Sequence, residues 1–426
     1  MAKRYWLGVA PAVKQVQTFT ITAFDAATTY KITIGGVTVE QIGTTDANTT
    51  ATNLRAKLID TANPPPGGGN HPYFTAVTWT VATNVVAGTA VDAGEPFVAT
   101  ESVSGGTGTM SSSVTTANSG PNVLSVAANW DGGTVPSTGD DLIIDRGASI
   151  CWDLEYLHDN TIDPASFTVM QTFTGTIGLD ARVFATNAAA TTTNSTAKEY
   201  RPHYLKARCA KLDLGQPSGA VAANGSGRLK INNTKSAASV TTEHGTAANS
   251  SDAGLPAHRI LAAHASADIY VRSAVAGFGV AVDAPGETST ICKMAVSASD
   301  TTSRALTGDG VTLTSWEQRG GNNVMRAAAT VTSVNAYGGV LGIEGDYTIT
   351  TLTVDGATVT DNHIKTSGNA ITTCNLNAGT LDFQGSNVPR TVATMNPNAG
   401  TLRANKDFVT FTTLNQPAAA YQMVIT

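Results

Sequence analysis

The chain has 426 residues, of which 14% are charged and 6% aromatic, with Gly, Ala, Thr, Ser and Asn in heavy use. Thr and Val suit pleated strands and Gly and Asn suit turns, while the Lys- and Glu-rich surface of helices is scarce, so an all-β body is expected. A formal charge of −6 argues against nucleic acid as a partner, because neutralising phosphates takes a basic surface.

Met1-Ala2-Lys3-Arg4 is basic, but Tyr5-Trp6-Leu7-Gly8 supplies no apolar run of signal length. No stretch approaches the ~18–20 apolar residues of a membrane span. A protein made in the cytoplasm, with no membrane partner, is expected.

Residues 16–60 read as β-β-α. Gln17 to Phe24 and Tyr30 to Ile34 alternate like strands, Gly35-Gly36 turns, and Val37 to Ile42 follows as a further strand. Thr44-Thr45-Asp46 caps a helix with Ala47, Ala51, Leu54 and Leu58 on one face, and the run Pro64 to Gly69 ends it. Phe74 to Val81 and Pro96 to Val103 supply more strands, after which Gly105 to Gly108 and the Ser/Thr-rich stretch 109–119 read as a linker. Residues 16–120 thus form an α+β module with its linker, behind a strand in residues 1–15.

Next comes Asn129-Trp130-Asp131-Gly132-Gly133-Thr134-Val135-Pro136, followed by Gly139-Asp140-Asp141-Leu142-Ile143-Ile144-Asp145. Trp130 is expected to plug the first coil of a solenoid, with Pro136 and Gly139 turning the chain ahead of the strand at 142–145. A capping coil of this kind shields the open strand edges at a solenoid's end.

Together with Arg4-Tyr5-Trp6-Leu7-Gly8, this segment resembles the start of β-helical proteins of tailed bacteriophages. There the two pieces follow one another closely; here residues 16–120 stand between them, which implies that the module is inserted. The module's Tyr30-Lys31-Ile32-Thr33-Ile34-Gly35-Gly36 and Thr50-Ala51-Thr52-Asn53-Leu54-Arg55-Ala56-Lys57-Leu58 are similar to small domains of phage head and tail proteins. The resemblance implies a virion structural protein.

Residues 121–310 read as irregular solenoid, with long polar loops at 184–200, 217–227 and 233–254. Residues 311–426 are regular. Ile349-Thr350-Thr351-Leu352, Ile371-Thr372-Thr373-Cys374, Val392-Ala393-Thr394-Met395 and Phe411-Thr412-Thr413-Leu414 recur at spacings of 22, 21 and 19. A second register follows in Thr358-Val359, Thr380-Leu381 and Thr401-Leu402, and Asn-Ala-Gly recurs at 377–379 and 398–400. A unit of two short strands and two turns cannot bury its apolar face alone, so the copies must stack. Trp6, Trp130, Ile349, Leu352, Ile371, Cys374, Val392, Met395 and Leu414 are the expected inward-facing core, and the spacing of Val311, Val331 and Ile349, 20 and 18, connects the irregular region to the regular repeats.

Motifs that would carry chemistry are scarce. Cys151, Cys209, Cys292 and Cys374 lack metal-ligand spacing, and His71, His158, His203, His244, His258, His264 and His363 are scattered. Asp140, Asp141, Asp145, Asp153 and Glu155 concentrate carboxylates near the first coil; turn chemistry explains them better than a glycosidase pair does. The basic cluster Arg201 to Arg208 reads as a solvated strand face, and Trp316, Tyr337 and Tyr347 as a subunit contact or a sugar-stacking surface.

The sequence therefore predicts a mainly β protein: a β-solenoid with an inserted small α+β module near its N-terminus, with no catalytic, cofactor or metal site. The expected role is a non-enzymatic phage virion protein assembled in the host cytoplasm, a decoration or cement protein on the head exterior. Its expected partners are two further copies of itself in a homotrimer and the major capsid protein or other virion proteins. The alternative is a tail fibre or tailspike that binds, or cleaves, a glycan.

Overall fold

The computed structural model describes residues 2–179, 184–185, 196–197, 204–216, 229–235, 238–242, 258–262, 267–271, 279–282, 289–296, 304–308, 311–326, 330–345, 348–361, 370–385, 388–415 and 421–425. Two separate hydrophobic cores organise it, one in the inserted module and one along the solenoid.

The module folds as two antiparallel sheets. One runs in the order Val77–Ala82, Val85–Ala90, Val16–Ala23, Thr109–Thr116; the other in the order Val37–Ile42, Thr28–Ile34, Ala99–Gly105. The helix Ala47–Leu58 packs Ala51, Leu54 and Leu58 into the core, and Asp46 caps it by accepting from the Thr49 N–H at 2.7 Å. Two expectations are corrected. The Ser/Thr-rich stretch is not a linker but the edge strand Thr109–Thr116, whose ladder to Val16–Ala23 fixes it whatever its composition. Phe74 lies in a short helix, Pro72–Thr75, because Pro72 and the His71 cap start a helical turn before the strand at Val77.

The chain enters the module beside the place where it leaves. Val13 and Ser119 form an antiparallel bridge, with Val13 donating to the Ser119 carbonyl at 2.8 Å. Gln15 braces this neck: its Nε2 donates to the Phe97 carbonyl at 2.8 Å and its Oε1 accepts from the Phe97 N–H at 3.1 Å.

The solenoid consists of parallel rungs. Its first is made by the chain's own start: Lys3–Tyr5 pairs with Asp141–Ile144, which pairs in turn with Ser166–Met170. Trp6 meets Trp130 edge-on at 5.2 Å between ring centres, both 1% exposed. Each indole N–H is satisfied, Trp6 by the Ala148 carbonyl and Trp130 by that of Leu124. The split motif thus closes over the edge of the first coil, where a bare strand would invite foreign pairing.

Each coil then lays one strand on a first face and one on a second. On the first face the order runs Lys211–Gln216, Ser239–Thr242, Ala267–Val271, Ser289–Val296, Val311–Gln318, Val331–Ala336 and Ile349–Asp361, all parallel. Ile349–Asp361 and Ala370–Asp382 are long enough to bend from the first face onto the second. Between the faces sits a corner glycine. Gly339, Gly356, Gly379 and Gly400 all have positive φ, and a Cβ at Gly379 would stand 2.2 Å from the Ala357 carbonyl oxygen in the coil before.

The repeat register is seen rung by rung. Ile349 pairs with Ile371, Ile371 with Val392 and Val392 with Phe411; Leu352 pairs with Cys374, Cys374 with Met395 and Met395 with Leu414. Ile349, Leu352, Ile371, Cys374, Val392 and Met395 are at most 1% exposed. Leu414 is a correction: it is 41% exposed, because no described strand pairs with Val409–Leu414 on its far side. Val311 is fully buried, and the rung from Ser315 to Ser333 has a step of 18. Outside the apolar columns, Asn side chains form a polar ladder, Asn396 donating to Asn375 at 2.7 Å and Asn415 to Asn396 at 2.6 Å.

Candidate functional site at the module–solenoid junction

The sequence's candidate residues divide sharply in three dimensions. The carboxylates of the first coil are spent on holding it. Asp140 accepts from the Ser137 N–H at 3.0 Å, from Arg4 Nε at 3.2 Å and from the Ala2 N–H at 3.3 Å. Burial pushes its carboxyl up, but these donors outweigh burial and the net pKa is lowered. Asp141 accepts from Ser166 at 2.6 Å, Asp145 from Thr172, and Asp153 from Ser125. Among the described residues no three His, Cys, Asp or Glu side chains converge as a metal site would require.

The basic cluster is consumed the same way. Lys206 pairs with Glu155, while Arg208, at 2.6 Å, and Lys235 share Asp163. The two cations hold the Asp163 carboxyl below its usual range, the Arg208 hydrogen bond being the larger cause. Arg201 and Cys292's side chain lie outside the described residues, as do His203, His244, His264, His363 and Tyr347. Most of the polar loops 184–200, 217–227 and 233–254 lie outside them too.

Trp316 does not join an aromatic surface. It is fully buried, since its rung sets it level with Val334 in the inward column that continues to Leu352. Tyr337 is 42% exposed and carries the Arg319 guanidinium over its ring at 5.4 Å. Cys209 and Cys374 are buried, and burial pushes both thiols up to about 12. His258 is buried likewise, and desolvation lowers its pKa to about 3. Its rung sets it level with Leu229.

Among the described residues one concavity, of about 440 Å³, flanks the first coil beside Tyr5, Asp141 and Ser166, and another lies where the module meets the solenoid. A cleft of about 340 Å³ lies between Pro96 and Val98 of the module and residues 151–160 of the first coils. Asp153 and Thr161, both at φ +54°, bracket the helical turn Tyr156–Asp159 that forms its wall. Tyr156 is partly buried and packs on the solenoid core, and Trp152 is 6% exposed. Leu154 and Leu179 add apolar wall, and Asp153, Asp159 and Asn160 bring polar groups to the rim.

No protein-family model matches this chain, and no curated protein or solved structure matches it.

Sequence reasoning singled out Asp153 and Glu155 but not Tyr156, Asp159 or Val98. Tyr156 and Asp159 are three apart, a helical spacing, yet four residues carry too little periodicity to separate from a loop. Val98 comes into play only through the docking of the module, which no local pattern encodes.

Proposed function

We propose that this protein is a non-enzymatic structural component of a tailed-phage virion, with head decoration as its role. The observation that carries this reading is the capped solenoid. Its opening rung is completed by Lys3–Tyr5, its interior is filled with stacked aliphatic columns, and its side is braced by Asn and ion-pair ladders. These features favour a rigid stack over a catalytic groove, and the carboxylates that could have formed one act as acceptors within the coil. The resemblance of the Tyr5-Trp6 and Asn129-Trp130 segments to phage β-helical proteins supplies the virion context.

In this reading the solenoid flanks meet around a threefold axis, and the module faces the major capsid protein or another virion protein. A specific subunit contact of this kind buries more than ~1,000 Å². The acidic balance of the chain speaks against contact with the packaged genome. A second reading, a tail fibre or tailspike, is favoured by the placement of a separate module at one end of a stacked rod, with a cleft at the joint.

Electron microscopy of particles from the same genome, labelled with an antibody to the chain, tests both. Label on capsid faces supports decoration, label at the tail tip supports the fibre reading, and particles without label exclude both. Light scattering on the isolated protein tests the trimer; a monomer at micromolar concentration rules it out.

A further inference from the structure

We propose that the strand Thr109–Thr116 of the inserted module pairs, antiparallel across a twofold axis, with the same strand of a second copy of this chain. This contact is separate from the threefold meeting of solenoid flanks and does not rest on it.

The module's two sheets have an outer strand at each end, and all but one of these edges are blunted. At Val37–Ile42 both backbone groups of Glu40 are taken: its N–H donates to the Pro66 carbonyl at 3.2 Å, and its carbonyl accepts from Lys57 Nζ at 2.8 Å. At Val77–Ala82 the Trp79 carbonyl accepts from Arg55 Nε at 3.1 Å. At Ala99–Gly105 the Ala99 carbonyl accepts from Gln17 Nε2 at 2.9 Å, and Glu101 puts a charge on the strand. Thr109–Thr116 differs. It pairs with Val16–Ala23, and no described strand lies on its other side. From Ser102 to Trp130 the chain carries no Asp, Glu, Lys or Arg. Natural edges use charge, above all Lys, or Pro to repel further strands, and this one has neither.

The register identifies the free backbone groups. Ile21 donates its N–H to the Asn84 carbonyl at 3.0 Å, on the side of Val85–Ala90. Alternate residues of a strand turn their backbone groups to opposite sides, so Thr18 and Thr20 turn theirs towards Thr109–Thr116. Their register partners, Ser113 and Ser111, face back at them. Met110, Ser112 and Val114 therefore present N–H and C=O outward.

A second copy is the occupant that fits this row. Turned half a revolution about Ser112, the row meets itself: Ser112 exchanges both bonds with its equivalent, and Met110 exchanges them with Val114. An uncharged strand does this without repulsion. Val114, 52% exposed, then comes beside Met110 of the second copy and gains apolar cover. The four-stranded sheet doubles across the axis. A foreign strand would need a side-chain signature to select it, and Ser111, Ser112 and Ser113 supply none.

The test is sedimentation velocity on the full chain at micromolar concentration. The expected mass is an even multiple of the protomer mass. Ser112→Pro removes one outward N–H and leaves the ladder to Val16–Ala23 intact, while Val114→Lys puts a charge at an exposed site of the same row. Each should halve the mass with the circular dichroism spectrum unchanged. Halving to a trimer supports this contact and the threefold one together; halving to a monomer supports this one alone. Ser112→Cys should be captured as a covalent dimer by a short bis-maleimide, whereas Thr80→Cys, exposed on the blunted strand Val77–Ala82, should not.

An odd multiple, a single protomer included, overturns the proposal and leaves the edge to a strand of another protein. An even mass that survives Val114→Lys overturns it too, because the pairing then lies elsewhere. So does a Ser112→Cys chain that yields no more covalent dimer than Thr80→Cys. If Ser112→Pro does not fold, Val114→Lys and Ser112→Cys decide.

Discussion

Leu352 and Leu414 occupy the same place in the repeat but different surroundings, and truncating each to Ala separates stacking from sequence identity. Leu352 is fully buried between Val334 and Cys374 in its column. Leu352→Ala removes three carbons; at roughly 0.8 kcal/mol each, their transfer is worth about 2.4 kcal/mol. Rungs pinned by parallel hydrogen bonds on both sides collapse little into a void, so the cavity raises the total to about 3–5 kcal/mol. Leu414 is already 41% exposed and borders no closed space. Leu414→Ala should therefore cost about 1 kcal/mol or less. Urea unfolding followed by circular dichroism gives the two values. Hydrogen exchange then locates the loss, which for Leu352→Ala should centre on the strands Ile349–Asp361 and Ala370–Asp382. Equal losses for the two variants, or a loss below ~1 kcal/mol for Leu352→Ala, would refute the stacked-column account.

Gly379→Ala should cost more than Gly36→Ala in the same urea assay. Both glycines have positive φ, a strain of about 1–3 kcal/mol for Ala, but only at Gly379 does the new Cβ meet a backbone oxygen, whereas Gly36 faces open space. Removing one partner of the buried Arg390–Asp361 pair, as in Arg390→Met, should cost about 3–5 kcal/mol, and Arg390→Met with Asp361→Leu should recover most of it; a double-mutant cycle checks this. Mass spectrometry after alkylation at pH 8 should leave the Cys209 and Cys374 peptides unmodified until denaturant is added, since burial holds both thiols protonated. His258 has a folded pKa of about 3 against the usual 6.5. Below pH 6.5 the unfolded chain takes up a proton that the fold excludes, so stability falls as pH drops from 6.5 towards 3, by about 1.4 kcal/mol per unit. His258→Gln should flatten that slope in urea titrations between about pH 5 and 6.5, above most of the range where carboxylates contribute.

The columns were legible in the sequence because each coil repeats an inward apolar pair at nearly constant spacing, and parallel rungs translate spacing directly into stacking. The same logic could have reached Trp316: two steps of 18 carry it through Val334 to Leu352. It was obscured by residue type, since Trp reads as a surface aromatic when its register goes unexamined. Leu414 shows the converse, a repeat residue whose burial depends on a neighbour rung and not on its own sequence. The strand Thr109–Thr116 was hidden by its Ser/Thr composition, and the hairpin from Val77–Ala82 to Val85–Ala90 by the Thr83-Asn84 turn, which takes positive φ at Thr83 without a glycine. The cleft was beyond reach. Its walls are far apart in the chain, and Val98 and Tyr156 come to line one cleft only in the folded chain.

The corner glycines carry a consequence for how the length of this rod can change. Gly379 and Gly400 sit so close to the corner before them that each coil is keyed to its predecessor, and a half-coil insertion would put a side chain where only hydrogen fits. Length is therefore quantised: a whole coil can be duplicated or excised, changing the rod by one strand spacing of about 4.8 Å. A rod graduated in that increment can lengthen or shorten while every corner, column and ladder keeps its form.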